Sequence, residues 1–99
     1  MITRIVKMTF DPLKVDAFLS LFEEFEFKIR QQPGCFYLEL LREKSDGNVF
    51  FTYSKWIDNE SLERYRHSET FKSVWPQTKA GFIAPAEAWT LDGREAGVI

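Results

Sequence analysis

The residues of this sequence that could take part in chemistry are few, and several of them lie close together in the second half of the chain. Tyr65 and His67 stand two positions apart, and Tyr53 precedes them in an apolar run. Imidazole titrates near neutral pH and can act as a general base, while a phenol can donate a hydrogen bond to the oxygen of a bound phenol or quinone. Tyr65 and His67 are therefore the candidate catalytic residues, and Tyr53 is a candidate substrate contact.

Each of these candidates also has an interpretation without catalysis. On a helix, His67 would point about 200° away from Tyr65, which favours a surface or hinge position for its imidazole. A tyrosine where a sheet meets a helix more often only packs. The chain has a single histidine and a single cysteine, Cys35, so we expect no multi-histidine metal site and no internal disulfide.

Composition limits the size of the protein and its partners. A chain of 99 residues has room for one domain with one modest core. The formal charge is -2 and the basic residues are scattered, which indicates neither a nucleic-acid partner nor an anionic membrane surface. Because no apolar run is long enough to span a bilayer and no secretory leader is recognisable, we expect a soluble, cytoplasmic protein.

Periodicity predicts the elements that must position these residues. Asp11 is a good N-cap and Pro12 suits the first helical position, so a long helix is expected to follow the first strand. One stripe of that helix is apolar and includes Phe22, a candidate pocket residue, while Phe27 falls almost opposite it. Strands are predicted at residues 2–10, 35–43, 48–57 and 84–91, and helices at 12–32, at 59–66 and at 69–82 with a kink or split at Pro76.

The predicted order is β-α-β-β-α-β, an α+β fold of the ferredoxin-like type, with a four-stranded antiparallel sheet and the helices on one face. The other face would be bare, yet aromatic and aliphatic residues fall on both faces of the middle strands. A solvated sheet face usually alternates apolar with polar residues. We therefore expect a second copy of the chain to cover the bare face in a homodimer. Residues 92–99 offer little to pack and are expected to form a mobile tail.

The segment after the third predicted strand resembles the matching part of antibiotic-biosynthesis-monooxygenase domains. Trp56 closes the strand, Leu62 lies in the short helix, and Ser68 is followed three residues later by Phe71. The opening segment 1–6, the turn before Cys35 and the ending at 88–91 are also similar, so the resemblance covers about residues 1–91. It implies a domain over that range that forms a dimeric α/β barrel, with a hydrophobic pocket between sheet and helices in each subunit.

The resemblance also points to further site residues. Cofactor-independent members of the family carry an asparagine four residues before the tryptophan, and Thr52 stands there, with one hydroxyl to donate. Trp56 would then either pack in the core or line the pocket. Haem-degrading members place an axial histidine where Trp75 stands here, and an indole cannot ligate iron. Haem is therefore not expected as a ligand, and Trp75 is a candidate pocket residue.

The resemblance implies a cofactor-independent monooxygenase that oxidises a small aromatic or quinol-type substrate with O2. The alternative is a non-catalytic dimeric domain that binds small molecules or is associated with stress. It is motivated by the absence of the catalytic residues that mark the characterised branches, including the two histidines of the isomerase-like branch, at whose places Tyr65 and Thr70 stand.

Overall fold

The computed structural model describes residues 1–94, which fold into a four-stranded sheet with three helices packed against one face. A single turn of 3-10 helix, Pro12–Lys14, precedes the first α-helix. The strands are β1 (Ile2–Thr9), β2 (Cys35–Arg42), β3 (Val49–Trp56) and β4 (Glu87–Asp92). The helices are α1 (Val15–Arg30), α2 (Asn59–Arg66) and α3 (Glu69–Lys79).

The strands pair antiparallel in the order β2-β3-β1-β4. β1 and β3 are central, and β2 and β4 form the two edges. This is the split β-α-β-β-α-β arrangement that the sequence predicts, so the α+β, ferredoxin-like fold is confirmed.

Local sequence signals explain where the elements begin. The side chain of Asp11 accepts a hydrogen bond from the backbone N–H of Leu13 at 2.9 Å, and the chain enters α1 through the 3-10 turn. Asp58 caps α2 through the N–H of Ser61, at 2.8 Å. Gly34 precedes β2 with φ 86°, and a Cβ at this position would collide with the side chain of Ser61.

Pro76 does not split the last helical region. α3 continues through Pro76, because the carbonyl that loses its N–H partner belongs to Lys72, and both residues lie at the surface where water can replace the bond. As predicted, a new helical segment begins after Ser68, whose side chain caps α3 by accepting from the N–H of Phe71 at 3.2 Å.

α3 also ends at Lys79, earlier than predicted, because the chain then turns to reach β1. Phe82 forms an isolated bridge with Phe10 and packs its ring against that of Phe10, with centroids 5.2 Å apart. β4 begins at Glu87 and not at residue 84, since Pro85 cannot donate to the ladder. It ends at Asp92, so that residue belongs to the strand and not to the predicted tail.

The face of the sheet that the helices cover, called here the inner face, carries the core. Met8 from β1, Phe10 just after it and Phe50 from β3 are at most 2% exposed. They meet Val15 and Phe18 of α1, and the rings of Phe10 and Phe18 stack with centroids 4.3 Å apart. Alternation along each strand sends the neighbouring residues to the opposite side, called here the outer face, which no helix covers.

The segment after β4 lies beside the first residue of the chain. Gly93 follows β4 and donates its N–H to the carbonyl of Met1 at 2.8 Å. The rest of the predicted tail, residues 95–99, lies outside the described residues. Within residues 1–94 no helix has both the length and the apolar character needed to cross a membrane.

Candidate functional site

A cavity of about 300 Å³ lies between the inner face and the helices. All four strands and all three helices contribute to its wall, and most of the lining side chains are apolar. Arg66 and Ala88 are the lining residues that are exposed to solvent, so the cavity opens beside the edge strand β4. A largely apolar pocket with a few polar groups is the usual form of a small-molecule site.

Four aromatic rings form one continuous wall of this cavity. Trp56 stacks on Tyr65 with centroids 5.2 Å apart, and Tyr65 meets the edge of Phe71 at 5.4 Å. Phe71 in turn stacks on Trp75 at 5.6 Å. Helical spacing explains this arrangement on α3, because residues four positions apart share a face. The wall offers flat, polarisable surfaces that suit a planar aromatic ligand.

Trp56 is held in place by its own strand. Its indole N–H donates to the hydroxyl oxygen of Ser54 at 3.0 Å, and that hydroxyl donates to the carbonyl of Arg4 at 3.4 Å. Ser54 and Trp56 are two residues apart on β3 and therefore share the inner face. Trp56 therefore both packs in the core and lines the pocket, since its side chain is 1% exposed and borders the cavity.

Tyr65 is positioned to donate a hydrogen bond but not to take a proton. Burial raises the pKa of its phenol well above the usual range, and the nearby thiol of Cys35 raises it further. The group therefore remains a neutral phenol at physiological pH. Thr52 also lines the cavity, and the hydroxyl of Thr78, another lining residue, donates to the carbonyl of Val74 at 2.8 Å.

Two arginines stand at the open side of the cavity. Arg4 lies on the inner face of β1 and donates from Nη1 to the hydroxyl of Thr90 on β4 at 2.6 Å. Arg66, at the end of α2, pairs with Glu63 at 3.0 Å. Partial burial and the charge of Arg66 lower the pKa of Arg4, while Glu63 raises it, and the guanidinium stays charged.

The sequence interpretation missed both arginines. A signal was present for Arg4, because it alternates with Val6 and Met8 along β1 and must therefore face the same side as these apolar residues. A charged residue at a core-facing position of a strand deserves to be considered as a ligand contact. No comparable signal marked Arg66, since α2 is rich in charged residues on its exposed side.

The cavity brings together five of the seven residues singled out from the sequence: Phe22, Thr52, Trp56, Tyr65 and Trp75. Tyr53 is on the outer face, where its ring meets the edge of Tyr37 at 5.9 Å. His67 is exposed at the C-terminus of α2, with its Nδ1 2.7 Å from the carbonyl oxygen of Glu63. Neither residue lines the cavity, so both would act elsewhere if they act at all.

Groups suited to hold a metal are not assembled in the part of the chain described. Residues 1–94 contain no cluster of three or more histidine, cysteine, aspartate or glutamate side chains close enough to share one ion. Cys35 is half-buried, and burial raises the pKa of its thiol, which reduces its thiolate fraction at neutral pH. The arrangement can therefore bind and orient an aromatic molecule, with neutral donors and two cations as its polar groups.

Comparison with solved structures finds the same fold. A crystal structure of an antibiotic biosynthesis monooxygenase superposes with a TM-score of 0.90 at 24% identity, covering 96% of this chain and 100% of that chain. A conserved protein from Methanosarcina mazei Go1 gives 0.89 at 21% identity, with 95% of this chain and 94% of that chain covered. A mutant of SnoaB, a cofactor-independent oxygenase from Streptomyces nogalater, gives 0.84 at 21% identity, covering 96% and 94%.

A search of curated proteins finds no significant sequence match. The family model for antibiotic biosynthesis monooxygenases matches residues 1–75, which include β1 to β3, α1, α2 and the first half of α3. This match spans most of the chain and contains the greater part of the cavity wall. The chain therefore belongs to the antibiotic biosynthesis monooxygenase family.

Proposed function

We propose that the protein is a cofactor-independent monooxygenase that oxidises a small aromatic or quinol-type substrate with O2 in the cavity between the inner face and the helices. The observation that carries the proposal is the aromatic wall of Trp56, Tyr65, Phe71 and Trp75, which borders an enclosed volume large enough for a fused-ring molecule. Membership of the family supports it. The likeness to SnoaB supports the proposal only as an analogy of fold.

In this proposal the substrate supplies the electrons. One oxygen atom of O2 enters the product, and the other leaves as water with two hydrogen atoms taken from the substrate. The protein holds the ring flat against the aromatic wall and excludes water, while the phenol of Tyr65 and the hydroxyl of Thr52 donate hydrogen bonds to a substrate oxygen. Such donors favour the oxygen anion that forms when an electron-rich ring loses a proton.

We also propose that the active form is a homodimer joined through the outer faces of the two sheets. Tyr37, Leu41, Trp89 and Leu91 lie on this face and are each at least 40% exposed. Exposed apolar residues on a sheet face are a common mark of an interface. An interface of ordinary size buries about 800 Å² per partner.

Oxygen uptake tests the enzymatic proposal. Purified protein is mixed with a panel of naphthalene and anthracene quinols in air-saturated buffer, and uptake is compared with the rate in buffer alone. Ala88→Trp fills the mouth of the cavity from an exposed position on β4, whereas Ala88→Ser leaves it open. We expect uptake above the buffer rate for the wild type and Ala88→Ser, and its loss in Ala88→Trp.

One observation favours the second candidate, a dimeric binding domain without catalysis. Among the described residues, the cavity wall contains no aspartate, glutamate or histidine that could accept a proton, and Tyr65 is held in its neutral form. If quinols quench the tryptophan fluorescence and bind, but never raise uptake above the buffer rate, the binding domain is the correct assignment. Uptake that is equal in Ala88→Trp and in the wild type would place any oxidation outside the cavity.

A further inference from the structure

The mouth of the cavity carries a positive charge that the proposed oxidation does not require. Arg4 and Arg66 line it, and no carboxylate from residues 1–94 does so. Arg4 comes from the inner face of β1 and Arg66 from the end of α2, so the two guanidinium groups approach the opening from the sheet and from the helices. Their mutual repulsion is unfavourable for folding and calls for a compensating partner.

The compensation available within the described structure is incomplete. Glu63 pairs with Arg66 at 3.0 Å and is the carboxylate whose charge acts on Arg4. The ion pairs formed among residues 1–94 do not include Arg4, whose one hydrogen-bond partner there is the hydroxyl of Thr90. One carboxylate thus offsets the charge of two cations, and the mouth keeps a net positive charge.

We propose that the ligand of the cavity is an aromatic carboxylate, with its ring against the aromatic wall and its carboxylate at Arg4 and Arg66. This inference rests on the proposed function in that it takes the cavity as the substrate site, but it concerns binding and not oxidation. The planar guanidinium of Arg4 has several N–H groups, and the bond to Thr90 fixes its orientation while leaving others to donate. A carboxylate is the anion whose two oxygens match that geometry.

The shape of the site agrees with such a ligand. A volume of about 300 Å³ admits a fused bicyclic ring, and the charged residues stand only at the opening while the interior is apolar. An amphipathic anion would bury its ring in the apolar interior and keep its charge beside the solvent, so each group would have a suitable environment. Partial burial of Arg4 strengthens a charged hydrogen bond made there relative to one made in water.

A pair of probes that differ in charge tests the inference. 2-Naphthoate and its uncharged analogue 2-naphthamide share one ring system, and their dissociation constants can be measured by titration calorimetry in low-salt buffer. We expect the wild type to prefer the carboxylate by about tenfold or more, the scale of a hydrogen bond to a charged group. The preference should shrink as salt is added, because the mouth is open to solvent.

Variants assign the preference to the guanidinium groups. Arg4→Gln should abolish the preference, Arg4→Lys should keep part of it, and Arg66→Gln should reduce it less, because Arg66 is exposed and already paired. Arg64→Gln removes the same charge from α2 at an exposed position that does not line the cavity, and should change nothing. Circular dichroism of each variant checks its fold, and Arg4→Lys decides the case if Arg4→Gln does not fold.

Equal binding of the two probes to the wild type would overturn the inference, as would failure of both to bind or an unchanged preference in Arg4→Gln. These outcomes are separate from the proposed function. A protein that prefers naphthoate but consumes no oxygen with any substrate would support the binding inference and refute the monooxygenase. Oxygen uptake with neutral quinols, without a preference for the carboxylate, would support the monooxygenase and refute the binding inference.

Discussion

The two faces of the sheet are built by the same four strands and yet have opposite environments. On the inner face Leu38 is 4% exposed, while Leu41, three residues further along β2 on the outer face, is 40% exposed. The inner face is covered by three helices, and the cavity with the aromatic wall lies between them and the sheet. The outer face mixes apolar residues with charged ones, including the pair of Lys7 and Glu87 at 3.8 Å.

This difference arises because all three helices pack against the same face of the sheet. They exclude water from one side, where a ligand site can form, and they leave the other side uncovered, where the proposed dimer places a second copy. Each face can be disturbed without directly altering the other, because side chains on a strand alternate between them. The predictions below use that separation.

The largest effect is expected from a charge on the outer face. Leu41→Lys would bury an ammonium group against the second sheet of the proposed dimer, a cost that the interface cannot offset. Sedimentation equilibrium at micromolar concentration should give about twice 11.7 kDa for the wild type and 11.7 kDa or an unfolded chain for the variant. Leu13→Lys is the matched control, since Leu13 is 89% exposed in the 3-10 turn and should leave the dimer intact.

A folded wild-type monomer at that concentration, with Leu41→Lys behaving in the same way, would contradict the proposed dimer. It would leave the assignment of the cavity untouched. The exposed Phe27 on α1, at 64%, offers a second apolar surface, and a dimer that survives Leu41→Lys would direct attention to it.

A smaller loss is expected on the inner face from Ser54→Ala. The substitution removes the oxygen that accepts from the buried indole N–H of Trp56 and should reduce the free energy of unfolding by about 1–3 kcal/mol. Urea denaturation at one fixed protein concentration measures it, because the proposed dimerisation would make stability depend on concentration. Ser20→Ala, on the exposed side of α1, should change the stability by no more than about 0.5 kcal/mol. Equal losses in the two variants would contradict the role given to Ser54.

The pH dependence of stability should reveal the buried phenol of Tyr65. Its pKa is raised in the folded state, so the unfolded chain ionises first, at about pH 10, and the folded protein loses stability as the pH rises above that value. The loss should be smaller in Tyr65→Phe than in the wild type. The free energy of unfolding between pH 8 and pH 11 provides the measurement, and parallel curves for the two proteins would show that Tyr65 is not buried as described.

The smallest expected change is the response to haem. The cavity contains Trp75 and no histidine among its lining residues, so the wild type should give no Soret shift of the kind produced by histidine ligation. Trp75→His puts an imidazole into the same cavity and is the matched comparison. A stoichiometric complex of the wild type with such a spectrum, turning over to a ring-opened product, would contradict this prediction.

The sequence predicts the fold well because its signals are local. Asp11, Asp58 and Ser68 all cap helices in the structure, as their positions indicate. The alternation along β2 assigns Leu38 and Leu41 to opposite faces, and their exposure agrees. Pro76 does not split α3, because a helix tolerates a proline when the orphaned carbonyl faces water, and exposure of that kind depends on tertiary packing.

The candidate site was harder to predict than the fold. Thr52, Trp56 and Trp75 were singled out through the family resemblance, and all three line the cavity. Tyr53 and His67 were chosen for their chemistry, and the chemistry of a side chain does not say which face of a strand or end of a helix it occupies. Arg4 lies on the inner face because it alternates with Val6 and Met8 along β1, and a charged residue at such a position is easily assigned to the surface.

The three tryptophans allow one measurement to test the central claim, that ligands bind on the inner face and the partner on the outer face. Trp56 and Trp75 line the cavity, while Trp89 pairs with Ile5 and lies on the outer face. In a 1H–15N spectrum recorded during titration with 2-naphthoate, the indole N–H signals of Trp75 and Trp56 should move and that of Trp89 should not. In a Leu41→Lys variant that remains folded, the signal of Trp89 alone should shift. Movement of Trp89 on ligand addition, with the other two unchanged, would contradict the account.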